Sequence, residues 1–351
     1  MRQGGCFFMD RQILKLLTVL LLSISVNIAF AAAELEYLPE SAKIVCPEYP
    51  PARQHLQGFQ SCGKYIYWVF SQSMVKTDLA GKLIKKVPLH RERGKMVHGG
   101  SPALLDKLYV PYSGSGFNKR LNGKPSLNFV QVYDLDLNYI KSIPIPELEY
   151  GAGAVTTDGT NFFVTGGRPA DLPGNTIYEY SRDFKLLKKH ELRFNTFKGI
   201  QTLAFDGKYF YAGCYGSAYM TYRISKDFKQ VDYMDLQAQI GAYPIAENRM
   251  LVGSVRVDKL GREETFIQVV DPTKYILKTA VFELDCNYNV FYKGKMVPAK
   301  RLYGIIKKQK STLAVLRCPA NTPLSKIVEL QVYIPVKYIV EYYNPIKGDG
   351  K

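Results

Sequence analysis

The chain has 351 residues, of which 46% are hydrophobic, 13% aromatic and 22% charged. That apolar and aromatic content excludes a disordered or fibrous chain and is ample for a large buried core. Lysine and arginine (47) outnumber aspartate and glutamate (31), for a formal net charge of +16, and the high counts of Tyr (26) and Phe (18) lean toward β-structure.

The first element is a targeting segment. Met9 is an alternative start, Arg11 and Lys15 supply a positive region, and residues 16–30, LLTVLLLSISVNIAF, form an apolar core. Ala29-Phe30-Ala31 then places small residues where a signal peptidase reads, so residues 1–31 are expected to be a secretory signal peptide cleaved after Ala31. The apolar stretch is short for a membrane span, which needs about 20 residues. Cleavage removes Arg2, Arg11, Lys15 and Asp10, so the net charge falls by two, to +14. An exported basic protein suits anionic cell-surface polymers, and export argues against a nucleic-acid partner. The basic runs are short and scattered, as on an ordinary solvated surface.

Five cysteines follow the cleavage point: Cys46, Cys62, Cys214, Cys286 and Cys318. Cys46 and Cys62 are close in sequence and are expected to form a disulfide; Cys286 with Cys318 is a second pairing, and Cys214 is the candidate leftover thiol. No cysteine or histidine spacing suggests a metal site.

After an N-terminal extension (32–52), one pattern recurs. A β-rich run ends in a polar turn and a second β-rich run follows: MVKTDLAGKLIKKVPL, VQVYDLDLNYIKSIPI, IYEYSRDFKLLKKHEL, TYRISKDFKQVDYMDL, IQVVDPTKYILKTAVF and LAVLRCPANTPLSKIVEL. Aligned at Asp78, Asp134, Ser181, Ser225, Asp271 and Cys318, the copies are spaced by 56, 47, 44, 46 and 47 residues. A β-rich period of this size predicts propeller blades. Ahead of most copies lies a tight turn before an aromatic strand, as in DGTNFFVTGG and DGKYFYAGCYG. Small-residue segments upstream of these (HGGSPALL, YGAGAVTT, KGIQTLAF) read as inner strands. The expectation is an all-β propeller of six four-stranded antiparallel blades, at about 53–92, 93–147, 148–194, 195–236, 237–284 and 285–332. Five or seven blades are the alternatives. The run 333–345 is expected to close the ring on blade one, within a single propeller domain of residues 53–345, and 346–351 form a polar tail.

The face bearing the variable loops is the expected site. His98, in a Val-His-Gly-Gly context, is a candidate base or ligand, or a hydrogen-bonded structural histidine. Glu149 and Tyr150 are further catalytic candidates for glycoside chemistry, with Asp285 the other carboxylate expected at an inner-strand start. Arg168, Lys198 and Arg256 are candidate anion contacts, or solvated loop cations. Gln201 either lines the channel or satisfies a neighbouring backbone. Cys214 and Tyr215 are candidate contacts, or packed residues, since a nucleophilic cysteine needs a base and a lowered pKa.

EYGAGAVTTDGTNFFVTGG, IYEYSRDFKLLKKHEL and GIQTLAFDGKYFYAGCYG together resemble a family of exported bacterial β-propeller proteins of uncharacterised activity, over about residues 60–240. HGGSPALLDKLYVPY resembles that family's second blade, with Gly99 and Ser101 where its His-Thr-Gly-Asp pattern has Thr and Asp. The resemblance implies the fold and export, with quinoprotein-like and NHL-like propellers as kin at the level of fold; it carries no established activity, and the cofactor is unknown. The expected function is a periplasmic or secreted monomeric binding module, not inserted in a membrane, holding a carbohydrate, peptide or small molecule over the central channel. The alternative is a glycan-directed hydrolase or lyase at the channel mouth.

Overall fold

The computed structural model describes residues 38–39, 42–46, 55–92, 98–113, 128–169, 172–214, 221–257 and 263–343. The expected signal peptide and most of the 113–126 loop lie outside the described residues.

Four blades follow the sequence repeat. Blade one comprises Leu56–Ser61, Tyr65–Phe70, Ser73–Asp78 and Leu83–Pro88. Blade two has an inner strand broken into His98–Gly99 and Ala103–Leu104, then Leu108–Ser113, Asn128–Tyr133 and Tyr139–Pro144. Blade three runs through Ala152–Thr157, Phe162–Gly166, Asn175–Tyr180 and Leu186–Leu192. Blade four runs through Ile200–Phe205, Tyr209–Cys214, Thr221–Ser225 and Val231–Met234. The second strand of blade one, YIYWVF, is buried almost throughout, whereas the outer strand, LIKKVP, is largely exposed. A strand sandwiched between neighbouring blades has no solvent face and so loses the usual alternation. The tight turns hold where Asp-Gly predicts them: Gly159 and Gly207 adopt φ of +90° and +96°, a conformation that favours glycine.

The fifth blade departs from expectation. Its first three strands are Ala242–Ala246, Arg249–Val257 and Glu263–Val270, and its outer strand is the N-terminal segment Lys43–Val45, with Ile44 opposite Ile267. The ring therefore closes by joining the two ends of the propeller sequence. Each interface between neighbouring blades has its own apolar cluster, and there are five. Tyr67, Leu108 and Val110 join blades one and two; Val130, Val155 and Phe162 join two and three; Phe163, Phe210 and Ile224 join three and four. Tyr211, Met234 and Met250 join blades four and five, and Phe59, Trp68, Leu251 and Ile267 join five and one. The protein is a five-bladed propeller, not a six-bladed one.

At the axis the inner strands meet backbone to backbone. Ser101 N donates to Gly153 O at 2.8 Å and Val155 N donates to Ser101 O at 3.0 Å. A Cβ on Gly100 would sit 2.1 Å from Gly153 O, so only glycine permits this approach.

The expected sixth blade and closing strand form a different object. Thr279–Leu284, Val290–Tyr292, Lys295–Met296, Leu313–Pro319 and Lys337–Tyr343 make one mixed sheet, with the strands at 279, 313 and 337 parallel. Helices α1 (Leu302–Gln309) and α2 (Leu324–Gln331) supply the crossovers. The run 333–345 thus pairs with Leu313–Pro319, not with blade one. One face of this sheet packs Phe282, Ala314 and Leu316 under the helices, through Leu302, Ile306, Ile327 and Leu330. Its other face packs Leu313 and Val315 against blades three and four. Of the aligned polar turns, Asp271 instead caps the 3-10 turn Pro272–Tyr275, and Cys318 lies inside a strand.

The described cysteines are all free thiols. The expected Cys46–Cys62 disulfide does not form, because the two residues pack on opposite sides of blade one: Cys46 in the cluster shared with blade five, Cys62 against the cluster shared with blade two. Nor do Cys286 and Cys318 pair, since Cys286 is exposed in a turn and Cys318 is buried beneath the helices. Among the described residues no helix is long and apolar enough to cross a membrane.

Candidate site at the channel mouth

The inner strands of blades one and four carry a glutamine at the same position, one residue in: Gln57 in LQGFQS and Gln201 in IQTLAF. Both are almost fully buried. Gln201 Nε2 donates to Gln57 Oε1 at 2.5 Å, joining residues 144 apart in sequence. Blades one and four are not neighbours in a five-bladed ring, so this bond crosses the middle of the ring and forms a polar floor. The floor continues upward. Gln57 Nε2 donates to Ser71 Oγ at 3.4 Å, and Ser71 N donates to the His55 carbonyl at 3.2 Å.

Two imidazoles stand beside this chain. The His55 and His98 rings lie 6.0 Å apart in an edge-on arrangement. His98 begins the inner strand of blade two, with Ser113 opposite it. Burial, followed by the neighbouring His55, pulls the His98 pKa down from 6.5 to about 4. Its imidazole is therefore neutral near pH 7, the state that accepts as well as donates a hydrogen bond.

The other candidates fall on the rim between blades three and four. Gly199 and Gly167 form an isolated bridge, and Arg168 N donates to Lys198 O at 3.1 Å. This ties the end of one blade's second strand to the start of the next blade. The Arg168 guanidinium donates through Nη2 to Pro173 O at 2.7 Å, while its buried Nε has no partner among the described residues. Tyr178 lies within reach of the same charges. Burial, then Glu191 and Glu149, raise its pKa to about 12, with Arg168 opposing. Lys198 is exposed, 5.6 Å from the centre of the Phe197 ring, which is exposed too. Glu149 is exposed and Tyr150 half-buried, and no hydrogen bond among those described links either to His98.

Cys214 is a packed residue in the blade three–four cluster. Its Sγ lies 3.7 Å from Ala212 O, and burial pushes its pKa well up, so the thiol stays protonated and is a poor nucleophile. Asp285 does not begin an inner strand; it accepts from Asn287 N and Asn289 N in a tight turn of the appended sheet. Tyr215 and the Arg256 side chain lie outside the described residues. The candidates therefore separate into a buried polar centre and a charged rim. Gln57, Ser71, His55 and Phe197 escaped the sequence reading, although matching Gln57 with Gln201 across the inner-strand repeat would have revealed the floor. No group of three or more metal-ligating side chains occurs among the described residues.

Comparison with solved structures finds partial matches at low similarity. A Bacteroides caccae protein of unknown function is 12% identical with a TM-score of 0.39, over 59% of this chain and 73% of that one. The Pan2 WD40 domain of Neurospora crassa is 11% identical with a TM-score of 0.34, over 62% of this chain and 75% of that one. The extracellular domain of a B. thetaiotaomicron one component system is 13% identical with a TM-score of 0.33, over 71% of this chain and 32% of that one. No protein-family profile and no curated protein matches the chain.

Proposed function

We propose that this protein is an exported, monomeric binding module that holds a carbohydrate, peptide or other small polar ligand on the channel-mouth face of the propeller. The observation carrying this reading is the Gln201–Gln57 bond across the axis. It places a polar floor across the channel. Neutral His98 stands beside that floor, and Arg168, Lys198, Phe197 and Tyr150 occupy the rim. Ligand sites bring together a few convergent polar groups, and the axial glutamines with His98 supply such a set. Aromatic and cationic rim groups suit sugars and peptides carrying anionic substituents. Export rests on the apolar run 16–30 and the Ala29-Phe30-Ala31 site.

The hydrolase or lyase reading needs a carboxylate working with His98. Glu149 instead lies in the charge field of Tyr178 and Arg168, which favours binding over turnover. Titration calorimetry with ligands chosen from glycan and peptide arrays tests the proposal. The Tyr150→Ala, Arg168→Ala double variant should lose about tenfold or more in affinity, as expected for rim contacts that carry binding energy. Unchanged affinity sinks the channel mouth as the site. Turnover of a polysaccharide that His98→Ala abolishes moves the protein to the enzymatic reading.

A further inference from the structure

The helix layer of the appended sheet is built like a surface that docks on something. Its inner side is fully used, with Leu302, Ile306, Ile327 and Leu330 buried against the sheet. Its outer side mixes polar groups with large apolar ones that an ordinary solvent-facing helix pair would not carry. Leu324, Val328 and Val332 fall at intervals of four, on one stripe of α2 and its C-cap, and are 72%, 50% and 78% exposed. Tyr303 on α1 and Met296 in the preceding strand are 49% and 66% exposed.

The same unit is strongly basic. Residues 277–343 hold eleven Lys and Arg against four Asp and Glu. Two of those acids are engaged inside the unit, since Arg317 reaches both Glu283 and Glu341. Lys295, Lys300, Arg301, Lys307, Lys308 and Lys310 are exposed or partly so and make no ion pair among the described residues. Both helices cover the same face of the sheet, so the aliphatic stripe of α2 and the lysines of α1 share one outer surface.

Protruding aliphatic side chains beside unpaired cations match an anionic lipid surface, where the apolar groups enter the headgroup–acyl boundary and the cations meet the headgroups. A second copy of the chain on this face would set the same cations against each other. We infer that the α1–α2 layer is an interfacial docking surface for a bilayer containing anionic lipids. Docked this way, the protein would lie on the membrane without spanning it.

Vesicle flotation tests this with the chain beginning at Ala32, which keeps every described residue and lacks the apolar 16–30 segment. The probes are phosphatidylcholine vesicles with and without phosphatidylglycerol. Binding should require phosphatidylglycerol and weaken as salt rises. The Leu324→Asp, Val332→Asp variant should lose about tenfold or more in vesicle affinity, and so should Lys307→Glu, Lys308→Glu. All four positions are exposed, and unchanged circular dichroism and Tm would show that both variants fold. Equal binding to neutral vesicles, absence of binding, or full binding by both variants overturns the inference. So does a concentration-dependent dimer in sedimentation that Leu324→Asp, Val332→Asp dissolves.

Discussion

The same five-residue turn appears in two different settings in this molecule. In blade two, Asp134 accepts from Asp136 N and Asn138 N, Asn138 Nδ2 donates to Asp134 Oδ2, and Leu137 sits at φ 60°. In the appended sheet, Asp285 accepts from Asn287 N and Asn289 N, Asn289 Nδ2 donates to Asp285 Oδ2, and Tyr288 sits at φ 61°. DLDLN and DCNYN are thus one local structure. Yet the first joins the third and outer strands of a blade, while the second ends in a short hairpin beside parallel strands. Local chemistry decides a turn. Which sheet the flanking strands join depends on what covers their two faces. The blade strands are covered by neighbouring blades; the strand Thr279–Leu284 is covered by helices on one face and by blades three and four on the other.

The sharpest way to break the comparison is to separate the two regions. Glu341 is 2% exposed, accepts from Tyr233 of blade four at 2.8 Å, and pairs with Arg317 at 3.1 Å. Arg317→Met strands that carboxylate, and should cost about 3–5 kcal/mol in urea unfolding. Burial already raises the Glu341 pKa above its ordinary 4.5. The folded variant then holds a proton the unfolded chain releases, so the deficit should shrink as pH falls. A deficit independent of pH would show that Arg317 acts by packing alone.

A somewhat smaller loss is expected at the ring closure. Ile44→Ala removes a buried side chain from the blade five–one cluster and should cost about 2–3 kcal/mol. Amides of Glu263–Val270, which pair with Lys43–Val45, should lose hydrogen-exchange protection before those of the appended sheet. Simultaneous loss in both regions would mean that the ring and the sheet unfold as one unit.

The channel mouth should report itself by pH. The folded pKa of His98 lies near 4 and its ordinary value is 6.5. Between those values the unfolded chain binds the proton more readily, so stability falls as pH drops from 6.5 toward 4. The loss should be on the order of 2 kcal/mol, and His98→Gln should flatten that part of the profile. A profile unchanged by the substitution would remove His98 as its source. The smallest effects return to the twin turns: Asp134→Ala and Asp285→Ala should each cost about 1 kcal/mol, since each loses similar backbone acceptor bonds. Strongly unequal values would show that the sheets, not the turns, govern that cost.

Much of the ring was legible because its signals are local. Blades one to four begin and end close to where the turns at Asp78, Asp134, Ser181 and Ser225 place them. The counting failed after Ser225. Asp271 precedes a proline and caps a 3-10 turn, so a polar residue in the right place imitated the turn that the repeat required. The candidate residues were legible only by their place in the repeat. His98 and Gln201 fall on inner strands, and the backbones of Arg168 and Lys198 meet between blades three and four. Gln57 was legible only by comparing inner strands, because its partner Gln201 lies across the axis, and His55 precedes the first strand, where the repeat gives no signal.

Sequence alone determined the repeat, its tight turns and the strands buried on both faces, because hydrogen bonds and side-chain preferences within a few residues settle those. Tertiary structure decided the number of blades, the strand that closes the ring and the fate of the last fifth of the chain. A blade's outer strand can come from anywhere that reaches the open edge, and here Lys43–Val45 occupies it. With that edge taken, Thr279–Leu284 pairs with later strands, whose parallel order requires the helical crossovers α1 and α2.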